Sequence, residues 1–297
     1  MLTNGSDKAQ HRMTIQSKAT QQPETWPVAI TPHALPDNFR QALAVTYLED
    51  PCGVLPHALW RTLALLEDHD CHFAIENGSV SHLRIQKKNR LLLYWHRPTS
   101  FSALTEEQVE KIDHAVLHQR QIDNFATGKF DHTPYYRLIH HHSTPLQNVQ
   151  PTGFALKTIN PKDEAGLIHE FVTHRFIENQ VSAETMLSWA SHPVFDPELW
   201  LLLVEKKNDI PIGLGIAECD PAVREGVVMW VQILSEYRGH GLGKWLCSEL
   251  LNRLSKRADF STVCGQLHND TRPDILYRKA GFSGHDVWWV LRRKEEA

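Results

Sequence analysis

Ile233-Leu234-Ser235-Glu236-Tyr237-Arg238-Gly239-His240-Gly241-Leu242-Gly243-Lys244-Trp245-Leu246 runs from a hydrophobic stretch, through three alternating glycines, into an apolar stripe at helical spacing. The stripe is Leu242, Leu246, Leu250 and Leu254 with Cys247 and Leu251 alongside, while Lys244, Glu249, Arg253 and Lys256 take the wet face. This spacing predicts a helix from about Gly241 to Arg257, preceded by a strand at Glu225 to Leu234. Glycine tolerates positive φ and close approach, so successive backbone N–H groups in such a turn form a concave anion nest at the positive end of a helix. A pyrophosphate suits that nest, with Arg238 supplying charge. Two specific nucleotide motifs are excluded by spacing: a P-loop needs Gly-Lys-Ser/Thr after four intervening residues, and a dinucleotide fingerprint needs G-x-G-x-x-G.

Around this stretch the pattern is regular. Strands are expected at Phe154 to Ile159, Trp200 to Glu205, Pro211 to Cys219, Ser261 to Leu267 and Asp286 to Leu291. Helices are expected at Lys162 to Glu178, Ala183 to Ser191 and Arg272 to Lys279. Upstream, residues 143–152 form the expected linker, His140 to Gly153 being polar and broken by Pro145 and Pro151. The expected organisation is therefore a tail over 1–32, an N-terminal α/β domain over 33–142, and a second domain over 153–297.

In the N-terminal domain, helices are read at Asp37 to Leu48 and Leu55 to Glu67. Strands follow at His72 to Glu76, Val80 to Ile85 and Leu91 to Trp95, linked by hairpin turns at Asn77-Gly78 and Lys87-Lys88-Asn89. The capping box of Thr105 and Gln108 opens a helix expected to reach Phe125. The two halves thus share an order of elements, although Trp95 to Ser102 replaces the glycine turn with Pro98 and bulky residues that cannot form a nest.

The chain has 297 residues with Lys plus Arg 31 and Asp plus Glu 35, a net charge of -4, so no overall basic balance points to nucleic acid or anionic lipid. The five cysteines contain no C-x-x-C pair, and the longest apolar runs are too short to span a bilayer. A cytoplasmic protein with a small-molecule partner is expected.

Arg238, Gly241 and Gly243 match residue for residue the Gln/Arg-x-x-Gly-x-Gly/Ala signature of the GNAT (GCN5-related) N-acetyltransferase family. The strand at Ser261 to Leu267, then Asn269, then Leu276-Tyr277-Arg278-Lys279-Ala280-Gly281-Phe282 resembles the family's second signature. The resemblance implies the α/β (α+β) GNAT fold, a mixed, mostly antiparallel sheet flanked by helices, for residues 153–297. It further implies acetyl-CoA as cosubstrate and no metal. Its pyrophosphate would rest on Arg238, Gly239, His240, Gly241, Leu242 and Gly243, with Asn269 beside the cofactor and His240 either on phosphate or in solvent. Pantetheine would lie along Val231 to Ile233 as a pseudo-strand, and a backbone N–H near Ile233 would serve as oxyanion donor. The N-terminal half resembles at best a degenerate GNAT domain, which would wall the acceptor pocket, form a homodimer contact or stabilise the active half.

Acyl transfer to an amine needs a base for the amine and an acid for the leaving thiolate. The resemblance gives Tyr277 the role of acid. Glu218 and Glu225 are the candidate bases, both at strand ends, where carboxylates are usually solvated. Strict alternation puts Val228, Trp230 and Gln232 on one strand face, with Trp230 and Gln232 toward substrate, and Val227, Met229, Val231 and Ile233 on the other. His140-His141-His142 with His132 has no metal-ligand spacing. The expected activity is acetyl transfer from acetyl-CoA to a primary amine on a small molecule or peptide. A non-catalytic acyl-CoA sensor or interaction protein is the alternative.

Overall fold

The computed structural model describes residues 13–17, 36–98, 104–122, 125, 127–143, 149–170 and 181–295. Its elements, in chain order, begin with β1 (Met13–Ser17), α1 (Phe39–Glu49), α2 (Pro51–Val54), α3 (Leu59–Leu63), β2 (Asp70–Glu76), β3 (Ser79–Lys87), β4 (Arg90–His96), α4 (Glu106–Glu110), β5 (His114–His118) and α5 (Gln119–Ile122). There follow β6 (Phe130–His140), β7 (Phe154–Thr158), α6 (Ala165–Glu170), α7 (Ala183–Ser188), β8 (Trp200–Glu205), β9 (Ile210–Asp220), β10 (Glu225–Ile233), α8 (Leu242–Leu254), β11 (Phe260–Gln266), α9 (Pro273–Lys279) and β12 (Ser283–Arg293). These fall into two compact units, one of residues 1–133 with 288–297, the other of residues 134–287.

In the first unit the strands are ordered β1-β2-β3-β4-β5-β12, antiparallel except where β4 meets β5. Its buried residues include Leu83, Ile85, Leu91 and Leu93, and the Trp288 indole donates to the Cys52 carbonyl at 2.8 Å. In the second unit the order is β6-β11-β10-β9-β8-β7, antiparallel except for the β10–β11 pair. Helix α8 packs its Leu246, Leu250 and Leu254 against this sheet. A Cβ at Gly215 would meet Leu246 Cδ1 at 2.8 Å, and one at Gly226 would meet Leu254 Cδ1 at 2.9 Å. The two bare positions let the helix settle close to the strands, a contact any larger residue would prise open.

Several expected elements differ. The expected helix from Leu55 to Glu67 is cut down to α3 and a 3-10 turn at Leu66–Asp68, because Pro56 holds Leu55, just past the end of α2, in the extended region at φ -132° and ψ 147°. Leu55, Leu59, Leu63 and Leu66 are all buried, so the stripe marks a core face without a continuous helix. Thr105 and Gln108 form the expected capping box, yet the helix stops at Glu110. The segment from His114 to His118, three apolar residues between two histidines, is drawn into the sheet against β12, tertiary pairing overriding local propensity. No counterpart of α8 therefore exists among the described residues of the first unit. Strand β6 was not anticipated, since Asp131 to Pro134 is polar and proline-bearing. Of the expected tail only Met13–Ser17 is described, as a strand paired with β2. Residues 144–148 of the expected linker and 171–178 of the helix expected to reach Glu178 lie outside the described residues.

Candidate active site

The site begins with an irregularity in β10. Its antiparallel register with β9 runs Val227↔Glu218 and Val228↔Ala217, then resumes at Trp230↔Ile216, leaving Met229 as a bulge. The bulge breaks the strict alternation assumed from sequence. Val227 now shares a face with Trp230 and Gln232, while Val228 joins Val231 and Ile233 on the α8 side.

On its other edge β10 pairs in parallel with β11 through Glu225↔Phe260, Gly226↔Ser261 and Val227↔Thr262, and the register goes no further. Past the bulge the two strands part. The Leu234 N–H donates to Ile212 O at 2.9 Å, which makes Gln232 and Trp230, two and four residues back, the positions bonded to β9. Val231 and Ile233 then aim their N–H groups away from β9, into the space left by β11. That space is a cleft of about 630 Å³. It is lined by Met229 to Ile233 from one strand and by Cys264 and Gly265 from the other.

At the end of the cleft the chain turns through Ser235–Tyr237 into the glycine loop. Gly239 and Gly241 hold φ of 86° and 77°, the left-handed region that glycine enters without steric cost. Gly241 is the N-cap of α8 and brings no side chain, so the first-turn amides carry no side-chain cap. Gly243 is needed for space, a Cβ there meeting Leu276 Cδ1 at 2.6 Å. Arg238 Nε donates to Ile233 O at 3.0 Å, tying the loop to the strand while its guanidinium lines the cleft. His240 is exposed and lies outside the lining; Asn269 lines it and accepts from the Thr271 N–H at 2.9 Å and hydroxyl at 2.7 Å.

Tyr277, on α9, borders the cleft and packs its ring edge-on to Phe282 at 5.8 Å. Burial, reinforced by nearby Tyr136, pushes its phenol well above the usual value, so it holds its proton at neutral pH. Tyr136, from β6, is a lining residue that sequence reading missed. Its ring lies across Gly265, where a Cβ would run into the hydroxyl. The signal for it was weak, because its strand was itself unread.

Neither candidate carboxylate lines the cleft, and both are buried, at 1% exposure for Glu218 and 0% for Glu225, unlike the solvated strand-end groups expected. Glu218 Oε1 lies 2.5 Å from His192 Nδ1. Glu225 accepts from the Thr262 hydroxyl at 2.6 Å and meets Arg137 at 3.4 Å. Asp220, across the hairpin from Glu225, accepts from the Ala222 N–H at 2.9 Å. Burial, with the charge of Glu225 adding to it, raises the Asp220 carboxyl to about 7.

A cleft between two parting strands, closed by an uncapped glycine turn at a helix N-terminus, has the shape and the donors to take an extended molecule that ends in phosphate. Residues 198–284 match the acetyltransferase (GNAT) domain model. A mycothiol acetyltransferase from Streptomyces griseus subsp. griseus is 26% identical over 148 residues, 48% of this chain and 48% of that protein, so the match spans about half the length of that relative. A GCN5-related N-acetyltransferase from Sphaerobacter thermophilus superposes with a TM-score of 0.59 at 17% identity, covering 88% of this chain and 97% of that one. A tandem GNAT protein from the clavulanic acid biosynthesis pathway gives a TM-score of 0.54 at 14% identity, covering 96% of this chain and 99% of that one. The segment within the second unit is thus a member of the GNAT acetyltransferase family, and the structural likenesses extend the shared fold over most of the chain.

Proposed function

We propose that the second unit is an N-acetyltransferase that moves the acetyl group of acetyl-CoA directly to a primary amine. The observation that supports this most is the parting of β10 from β11 beyond Val227, in line with the glycine turn. The amides of Gly239 to Gly243 and the Arg238 guanidinium hold the pyrophosphate. The outward N–H groups of Val231 and Ile233 bond the pantetheine arm and the thioester oxygen as charge develops on it, a preorganised donor of the kind that contributes most to acyl transfer. Tyr277 stands by the sulfur. The amine nitrogen bonds to the carbonyl carbon, the C–S bond breaks, the sulfur takes the Tyr277 proton, and the proton shed by the new amide nitrogen restores the phenol.

Calorimetric titration of acetyl-CoA into the protein and a Gly241→Glu variant tests the cofactor. Micromolar binding that the variant abolishes is expected, followed by CoA release with amines. A protein that binds acetyl-CoA and releases no CoA with any amine is instead the sensor.

A further inference from the structure

A carboxylate sealed inside a sheet is unsuited to take a proton from substrate, yet Glu218 is not isolated from the site. Its 2.5 Å contact is with Nδ1 of His192, whose side chain is 21% exposed against 2% for that of Glu218. A carboxylate only accepts, so Nδ1 carries the hydrogen, and the tautomer this fixes presents Nε2 as the basic nitrogen. His192 follows directly on the 3-10 turn Trp189–Ser191 that ends the α7 segment. In that turn the Trp189 ring faces Trp230, their centroids 6.3 Å apart. Trp230 lines the cleft.

The register binds these groups together. Because Met229 bulges, Val227 sits opposite Glu218 and Trp230 opposite Ile216, so Glu218 and Trp230 are diagonal neighbours on one face, roughly 7–8 Å apart at their backbones. Without the bulge Trp230 would have turned to the α8 side. The same face carries Gln232, which also lines the cleft. An imidazole steered by a buried carboxylate thus belongs to the strand face that carries Trp230, a cleft-lining residue, while His192 and Trp189 themselves stand behind that lining. Indole faces attract cations, and a basic ring nitrogen behind the same face can take a proton from an ammonium held there, directly or through one water.

We infer that His192 is the general base for the acceptor, that Glu218 is its positioning residue, and that the Trp189–Trp230 face receives a primary ammonium. This rests on the acetyl-CoA reading above and supplies its missing step. The ammonium gives one proton to His192 Nε2, the neutral amine then attacks the thioester, and after turnover the imidazolium releases that proton to solvent. Each cycle yields one amide, one CoA thiol and one solvent proton.

The test compares the full-length protein with His192→Ala, His192→Gln and Glu218→Gln. Each receives acetyl-CoA by calorimetry, a thermal melt, and a CoA-release assay with an alkyl diamine, a phenylalkylamine, an amino sugar and a short peptide with a free N-terminus. Expected are acetyl-CoA affinities within about twofold of wild type and kcat lowered by about 10²-fold or more in both His192 variants. Added imidazole restores a part of the His192→Ala rate. Glu218→Gln lowers kcat while KM for acetyl-CoA holds, and imidazole does nothing for it. The inference is overturned by His192 variants that keep their rate, by losses that imidazole leaves untouched and that track a lowered melt, or by a wild-type protein that binds acetyl-CoA and acetylates none of the amines. A wild type that fails to bind acetyl-CoA brings down the cofactor reading itself, and the calorimetry separates that result from the others.

Discussion

Gly241→Ala is the smallest change that questions the phosphate seat. Gly241 lies at φ 77°, and a Cβ built there meets nothing within 4 Å, so the substitution acts through backbone conformation alone. An L-residue in the left-handed region costs roughly 1–2 kcal/mol. Stiffening of the unfolded chain returns about 0.4–1 kcal/mol, leaving a net loss of about 1 kcal/mol. If the turn relaxes to negative φ, the amides at the head of α8 rotate out of the nest and the phosphate loses its contacts. One charge-assisted hydrogen bond contributes about 1.5–3 kcal/mol, so acetyl-CoA should bind roughly tenfold or more weakly. Urea denaturation and calorimetric titration, read side by side, check both numbers. Gly241→Asn, which tolerates this φ, should fall between the alanine variant and wild type. An alanine variant with wild-type stability and undiminished affinity would show that the turn is only a helix start.

Tyr277→Phe keeps the ring packed on Phe282 and should melt near wild type, bind acetyl-CoA unchanged and lose about 10²–10⁴-fold in kcat; an unchanged rate removes Tyr277 from the reaction. Asp220 holds its proton to about 7 in the fold against 3.8 in the unfolded chain, so the folded state binds the extra proton between those values. Its contribution is complete below the unfolded value and is lost as pH rises through about 7. Asp220→Asn should therefore flatten the fall in stability between about pH 4 and 7 measured by urea titration, and a parallel slope in the variant refutes the assignment. Arg137→Met leaves the Glu225 carboxylate buried without its cation and should cost about 3–5 kcal/mol, whereas Arg137→Met combined with Glu225→Gln should recover much of that.

The parts of this molecule visible in the sequence are those written in consecutive residues. The glycine turn, the stripe of α8 and the capping box at Thr105 each specify their own local geometry, and each is present. What lay hidden depends on partners distant in the chain. Met229 is a bulge only with respect to β9, and nothing in Val228-Met229-Trp230 marks it; the alternation assumed there put Val227 on the wrong face. Pairing also explains β5, a short apolar segment between two histidines that local preference lengthened into a helix. Tyr136 comes to the cleft from a strand that pairs with β11, at Gly265↔Tyr136, a partner more than a hundred residues on. Glu218 was visible as a carboxylate near the site, but the histidine 26 residues earlier that meets it was not.

The bare positions Gly215 and Gly226 have a consequence beyond packing. By letting the α8 leucines seat directly on the strands, they fix the direction of the helix axis, and with it the fan of amides at its head, from inside the hydrophobic core. The head of α8, where the proposed phosphate seat lies, is therefore positioned by core packing. A ligand bound there would meet a helix axis already set, which lowers the ordering cost that the protein contributes to binding.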